Sequence, residues 1–301
     1  MPPFVPSVFF SHDSIDAWIA EDAPLLDLST HLLGLNAQPA RIQWLARGSG
    51  VAACTEEAAR VARHCGAQVD SLLPSGTPID SGSVLLAAHG PADAVLRAWK
   101  VAQNLLEYAC GVASSTARMV AAVQAAAPGV AVLTTRKHPP GLRAVALKAA
   151  LAGGALPHRL SVGETVLIFP QHRALLGGWP ALADKLAALG HAAVEKHIVI
   201  EAASLPEAEQ AIAAGAQVVQ FDKLPVPELR AACHQLRARH PQVRLLAAGG
   251  IREDNATAYA ASGVHALVTS SVYHAPPADV GVRVAPLASS SISSPAKETS
   301  P

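Results

Sequence analysis

Charge is sparse in this chain. Only 15% of its 301 residues are charged, and 23 basic side chains cancel 23 acidic ones. That balance excludes a broad polyanion-binding or membrane-surface patch, so no nucleic acid or membrane partner is expected and any phosphate site must be local. The four cysteines (Cys54, Cys65, Cys110, Cys233) never approach C-x-x-C spacing, which excludes a zinc knuckle or redox pair and fits buried, inert thiols in a reducing compartment. No apolar run reaches the roughly 18 residues that span a bilayer. The start, MPPFVPSVFFSHD, has no Lys or Arg ahead of its short apolar stretch, so it does not read as a secretory signal. A soluble, cytoplasmic protein is the expectation. There is no internal repeat.

Half the residues are hydrophobic, enough to bury a large core, and the length allows a barrel with a smaller partner domain. From about Gly129 to Ser271, short β-branched runs alternate with helical stretches. The strand candidates are 129–135, 165–169, 197–202, 217–222, 244–250 and 266–271; helices are predicted at 142–154, 205–215 and 226–240. That alternation implies parallel βα units, and continuous apolar strands imply that both faces are covered. A barrel and a doubly wound sheet both fit. Nearly every strand ends in a polar or reactive group, which favours the barrel, because barrel enzymes gather their chemistry at that rim.

The first hundred residues mix helical runs (Ser14–Ala20, Glu56–His64, Pro91–Ala109) with short strands (Gln43–Ala46, Gly50–Ala53, Val84–Ala88). They read as a separate α+β layer. The stretch from Pro276 to Pro301, rich in Pro, Ser and Ala, predicts a mostly disordered tail with a short returning strand at Gly281–Val284. The expected division is therefore 1–110, completed by about 272–285, then 111–271 as the barrel and 286–301 as tail.

The densest chemistry lies in TRKHPPGLR, Thr135 to Arg143, a cationic loop between a strand and a helix. Arg136 beside Lys137 suits capture of carboxylate or phosphate. An isolated Arg-Lys pair is often only a solvated loop, but its place at the rim weighs against that. His158-Arg159 is ambiguous alone, since an exposed helix-terminal pair looks the same; beside Arg136 it would form a second cationic arm. Glu201 and Asp222, each at a strand end, could ligate Mg²⁺, hydrogen-bond ribose hydroxyls or pair with the cations. Ala248, Gly249 and Gly250, with Ser270 in the next loop, resemble the phosphate site after the last strands of many barrels.

These segments (TRKHPPGLR, GG…HR, LIFPQH, IVIEA, VVQFD, AAGG) occur in the order and spacing of the quinolinate phosphoribosyltransferases, from about Ser7 to His274. EYACGVAS (107–114), GGALPHRL and ETVLIFPQHR (164–173) resemble the ModD branch, named for its association with molybdate-transport operons. The resemblance implies an N-terminal α/β sandwich, a C-terminal open α/β barrel and a homodimer with shared active sites. It also implies transfer of a phosphoribosyl group from phosphoribosyl pyrophosphate, with Mg²⁺, to quinolinate, followed by decarboxylation. Arg136, Lys137, His158 and Arg159 would then face the acceptor carboxylates and the pyrophosphate. Glu201 and Asp222 would steady the ribose and metal, and Ala248, Gly249, Gly250 and Ser270 the 5′-phosphate.

Two positions depart from the family. Phe169 stands where the family has a carboxylate-binding lysine, and Lys100 where it has an arginine donated by the neighbouring subunit. The phosphoribosyl half of the site is kept and the acceptor half is changed. Quinolinate or a related carboxylated heterocycle is the expected acceptor. The alternatives are a non-catalytic ModD-type protein linked to molybdenum metabolism, and a barrel isomerase or aldolase, which lacks an obvious Schiff-base lysine at a strand end.

Overall fold

The computed structural model describes residues 7–287. The N-terminal domain comprises α1 (His12–Asp22), α2 (Leu28–Leu32), β1 (Pro39–Ala46), β2 (Gly50–Val51), α3 (Thr55–His64), β3 (Gln68–Leu72), β4 (Pro78–Ile79) and β5 (Val84–Pro91). A single long helix, α4 (Ala92–Ala126), leads into β6 (Ala131–Thr134), α5 (Arg143–Ala152), β7 (Leu156–Pro157), β8 (Val166–Ile168), α6 (Pro170–Leu176) and α7 (Trp179–Ala187). There follow β9 (Ile198–Ala202), α8 (Leu205–Ala213), β10 (Val218–Asp222), α9 (Val226–Arg239), β11 (Arg244–Ala248), α10 (Ala256–Ala260), β12 (Ala266–Thr269) and β13 (Val280–Pro286).

The first domain is an α/β sandwich on a four-stranded antiparallel sheet, ordered β13-β1-β5-β3, with β2 and β4 forming a small second ladder. Its core joins the apolar side of that sheet (Ile42, Trp44, Leu86, Ala88) to the inner faces of α1, α3 and α4. The second domain is a seven-stranded parallel sheet ordered β7-β6-β12-β11-β10-β9-β8. Among the described residues its end strands β7 and β8 pair with no further strand, so the barrel is open.

Alternation along the barrel strands separates two environments. Val219 and Phe221 of β10, with Leu245 and Ala247 of β11, face the helices and join the main core. Val218, Leu246, Ala248, Ala266 and Val268 turn inward and make a small apolar cluster of their own. Above it, the same inward faces of β9 and β10 carry Glu201, Gln220 and Asp222. Period-two geometry thus puts apolar residues on the barrel floor and polar ones at its rim.

The helix predicted to end at Ala109 continues to Ala126. Gly111 in its middle serves a close approach, because a Cβ there would stand 2.5 Å from the Pro276 carbonyl. In the tail, the returning strand expected at Gly281–Val284 is present and longer, Val280–Pro286, and the order begins before it. Residues 276–287 are ordered: Ala278 N–H donates to the Glu107 carbonyl at 2.8 Å, and β13 runs through Pro286 against β1. The rest of the expected tail, 288–301, lies outside the described residues.

The two domains meet at a buried charge cluster. Lys148 of α5 has a side chain 8% exposed, and its Nζ lies 2.8 Å from Glu56 Oε2 and 2.6 Å from Glu57 Oε2, both on α3. No helix among the described residues is long and apolar enough to cross a membrane.

Candidate active site

One cavity of about 540 Å³ opens at the C-terminal rim of the barrel strands. The β6–α5 loop contributes Thr135, Arg136 and Lys137, the segment after β7 contributes His158 and Arg159, and the end of β8 contributes Leu167, Phe169 and Gln171. Glu201, Gln220, Asp222 and Lys223 line it from β9 and β10, Ala248 to Arg252 from β11, and Val268 to Ser271 from β12. Of the residues expected from sequence, Arg136, Lys137, His158, Arg159, Phe169, Glu201, Asp222, Ala248, Gly249, Gly250 and Ser270 share this one space.

Lys100 does not. It sits exposed on α4, with Nζ 3.2 Å from Gln103 Oε1 and 5.0 Å from the Trp99 ring centroid.

Backbone bonds position the cationic wall. Thr135 N–H donates to the Thr269 carbonyl at 2.9 Å and His158 N–H to the Thr134 carbonyl at 2.9 Å, which sets the first arm against β12 and the second against β6. The Thr135 hydroxyl accepts from Lys137 N–H at 3.1 Å, and Tyr273 Oη–H donates to the Thr135 carbonyl at 3.0 Å. Among the described residues, Arg136, Lys137 and Arg159 have no ion-pair partner within the chain. Burial and the neighbouring Arg136 charge both lower the Arg159 pKa. The Glu164 charge opposes that lowering without forming an ion pair, and guanidinium groups that repel one another suit an incoming anion.

Burial, then the Arg159 charge, push the His158 pKa below the ordinary imidazole value.

The opposite wall is acidic. In the β9–β10 register Gln220 pairs with Glu201, so Asp222, two residues on, points the same way. Gln220 Nε2 donates to Glu201 Oε2 at 3.2 Å, leaving Gln220 Oε1 buried without a partner. Burial raises the Glu201 pKa and the Asp222 charge raises it further, against lowering by Gln220, Lys137 and Lys223. Two hard oxygen donors that repel each other fit a Mg²⁺ ion. No cluster of three His, Cys, Asp or Glu side chains that could hold a metal occurs among the described residues, so these two carboxylates would hold such an ion only with further oxygen donors.

The β11 turn completes the pocket. Gly249 and Gly250 hold φ at +83° and +73°, and a Cβ on Gly249 would collide with Asp222 Oδ1 and stand 2.5 Å from Lys223 Cγ. Both glycines are required by conformation and the first also by space. At β8, His172 Nδ1 accepts from Phe169 N–H at 3.0 Å and the two rings stack with centroids 5.8 Å apart.

The sequence reading passed over Gln220, Lys223 and Arg252. Strict alternation along QVVQFD would have found Gln220, which shares the inward face with Asp222. Lys223 follows a strand end directly, the position where a barrel lysine merits notice.

Comparison with known proteins agrees with this geometry. Sequence profiles of the N-terminal and C-terminal domains of quinolinate phosphoribosyl transferase match residues 27–110 and 112–283. A ModD protein of Rhodobacter capsulatus is 43% identical over 80% of this chain and 92% of its own length. The human nicotinate-nucleotide pyrophosphorylase (carboxylating) is 32% identical over 80% of each chain. NadC from Streptococcus pyogenes shares the fold at a TM-score of 0.83 and 24% identity, over 94% of this chain and all of that one. With matches spanning both domains and relatives aligned over most of their length, the chain belongs to the quinolinate phosphoribosyltransferase family.

Proposed function

We propose that the chain is a phosphoribosyltransferase that moves the phosphoribosyl group of phosphoribosyl pyrophosphate to a carboxylated heterocycle and releases pyrophosphate. The observation that carries this reading is the two-sided charge of one cavity. Unpaired Arg136, Lys137 and Arg159 face the carboxylates Glu201 and Asp222 across a space large enough for both substrates. Cations hold the acceptor carboxylate and the leaving diphosphate, while the carboxylates stabilise positive charge at C1 as its bond to the diphosphate breaks. The Gly249–Gly250 turn and Ser270 offer backbone and hydroxyl donors to the 5′-phosphate. Mg²⁺, held by Glu201 and Asp222, would neutralise part of the diphosphate charge.

The acceptor side is less cationic than the family pattern. Phe169 and Leu167 form an apolar wall with Gln171 beside it. The acceptor that fits carries fewer negative charges than quinolinate, or a larger flat ring. A second reading, a ModD-type protein of molybdenum metabolism without catalysis, draws on the same Phe169. The intact carboxylate pair favours catalysis.

Pyrophosphate release measured across an acceptor panel that includes quinolinate and nicotinate separates the two readings. At least one acceptor should give release that depends on phosphoribosyl pyrophosphate, and none would do so if the site is non-catalytic. In this reading the active unit is a homodimer in which Lys100 reaches the partner's cavity. Mixing Lys100→Ala and Arg136→Ala chains should then restore part of the lost activity, up to about a quarter of the sites by random pairing. No recovery after demonstrated subunit exchange would exclude shared sites.

A further inference from the structure

Lys223 follows Asp222 at the end of β10 and holds φ at +56°. Only one other described non-glycine residue, Cys54, has a positive φ, and it is buried in the core just before α3. Lysine gains nothing intrinsically from this conformation, which crowds its Cβ against the backbone. The surroundings impose it. Lys223 N–H donates to the Ala248 carbonyl at 2.8 Å, carrying the β10–β11 pairing one residue past the strand. The side chain then lies along the β11 turn, close enough that a Cβ at Gly249 would stand 2.5 Å from its Cγ.

Its ammonium has neither an ion-pair partner nor a side-chain hydrogen bond among the described residues, yet it lines the cavity and its charge reaches Glu201. A merely solvated lysine would need neither the left-handed backbone nor the glycine that makes room for its stem. Strain held at a cavity rim by the surrounding sheet marks a placed group.

We infer that Lys223 is a donor-binding residue whose ammonium pairs with the phosphate seated on the Gly249–Gly250 turn, an inference that rests on the donor reading above. Phe169, at the end of β8, is two strands away, about 10 Å at ordinary sheet spacing. Lys223 therefore serves the donor half of the cavity.

The test combines calorimetric titration with phosphoribosyl pyrophosphate–Mg²⁺, titration with ribose 5-phosphate, and thermal melting. Lys223→Asn removes the charge and keeps a residue that tolerates the left-handed backbone. Lys223→Gly is a second charge-free variant suited to it, and Lys223→Arg keeps the charge. Both charge-free variants should melt at or above the wild-type temperature. Both should bind the two ligands roughly ten- to a hundredfold more weakly, the worth of one charge-assisted pair. Lys223→Arg should recover most of the loss. Unchanged donor affinity in the charge-free variants overturns the inference, as does an effect confined to the acceptor KM. A wild-type protein that binds neither ligand overturns the donor reading itself.

Discussion

Phe169→Lys should raise the affinity for quinolinate by roughly ten- to a hundredfold, the equivalent of about 1.5–3 kcal/mol for a desolvated charge-assisted pair. The wild-type protein, by the same argument, should turn quinolinate over weakly or not at all. The ring of Phe169 lies in the cavity wall beside Leu167, and no ammonium comes from that strand. His172 and Lys148 are the first candidates to compensate, and the structure commits both elsewhere. His172 is turned back on its own helix start, where Nδ1 accepts the Phe169 N–H. Lys148 is buried between Glu56 and Glu57. Steady-state kinetics with quinolinate on the two proteins decide the matter. Efficient wild-type turnover with no gain in the variant would mean that Phe169 does not set acceptor choice.

Lys148→Met is the second substitution with a large expected effect, and it acts on stability. Glu57 is 5% exposed, so removing its partner strands a buried carboxylate. Breaking a buried pair in this way costs about 3–5 kcal/mol. For a chain of this size that corresponds to a melting temperature lower by roughly 10 °C. Replacing Glu57 with leucine in the same protein should recover much of the loss, because the buried charge goes with it.

The pH profile offers a second signature of the cluster. Burial alone would raise Glu56, but the Lys148 ammonium and the Ser75 hydroxyl and N–H outweigh it and hold the pKa at about 2. A depressed carboxyl stabilises the fold above its unfolded pKa, and that stabilisation disappears as pH falls through its folded one. The wild-type melting temperature should therefore fall between about pH 4.5 and 2, with a shallower fall in Lys148→Met. Equal slopes in the two proteins would show that Glu56 draws its low pKa from another source.

Much of this architecture is legible in the sequence because the barrel repeats one physical rule. Runs such as HIVIEA and QVVQFD are mostly apolar and carry a carboxylate at or near their C-terminal end, which marks strand and rim together. The elements that escape are those whose cause is tertiary. Two-residue strands such as β4 and β7 are too short to show a period, and β3 carries a polar, exposed pattern. The helix expected over Pro91–Ala109 stops short of Gly111, whose place inside α4 depends on the 276–278 backbone packed against it. The returning strand at 281–284 is legible, but its full extent, 280–286, and its pairing with β1, some 240 residues earlier, are not.

The site divides in the same way. Residue types and strand ends locate Arg136, Lys137, Glu201 and Asp222, because charge at a rim is visible locally. Lys223 escapes because its significance lies in a backbone angle and in contact with Gly249, neither of which sequence spacing shows. The lowered pKa of His158 likewise depends on burial, and then on Arg159 beside it, and the burial shows in no local pattern.

Binding of phosphoribosyl pyrophosphate, measured by titration calorimetry with and without Mg²⁺, tests the central claim most directly. The two-sided cavity leads to saturable, one-per-chain binding that Mg²⁺ strengthens, whether or not quinolinate is accepted. Absence of Mg²⁺-dependent binding at millimolar ligand would contradict the assignment of this cavity to a phosphoribosyl donor.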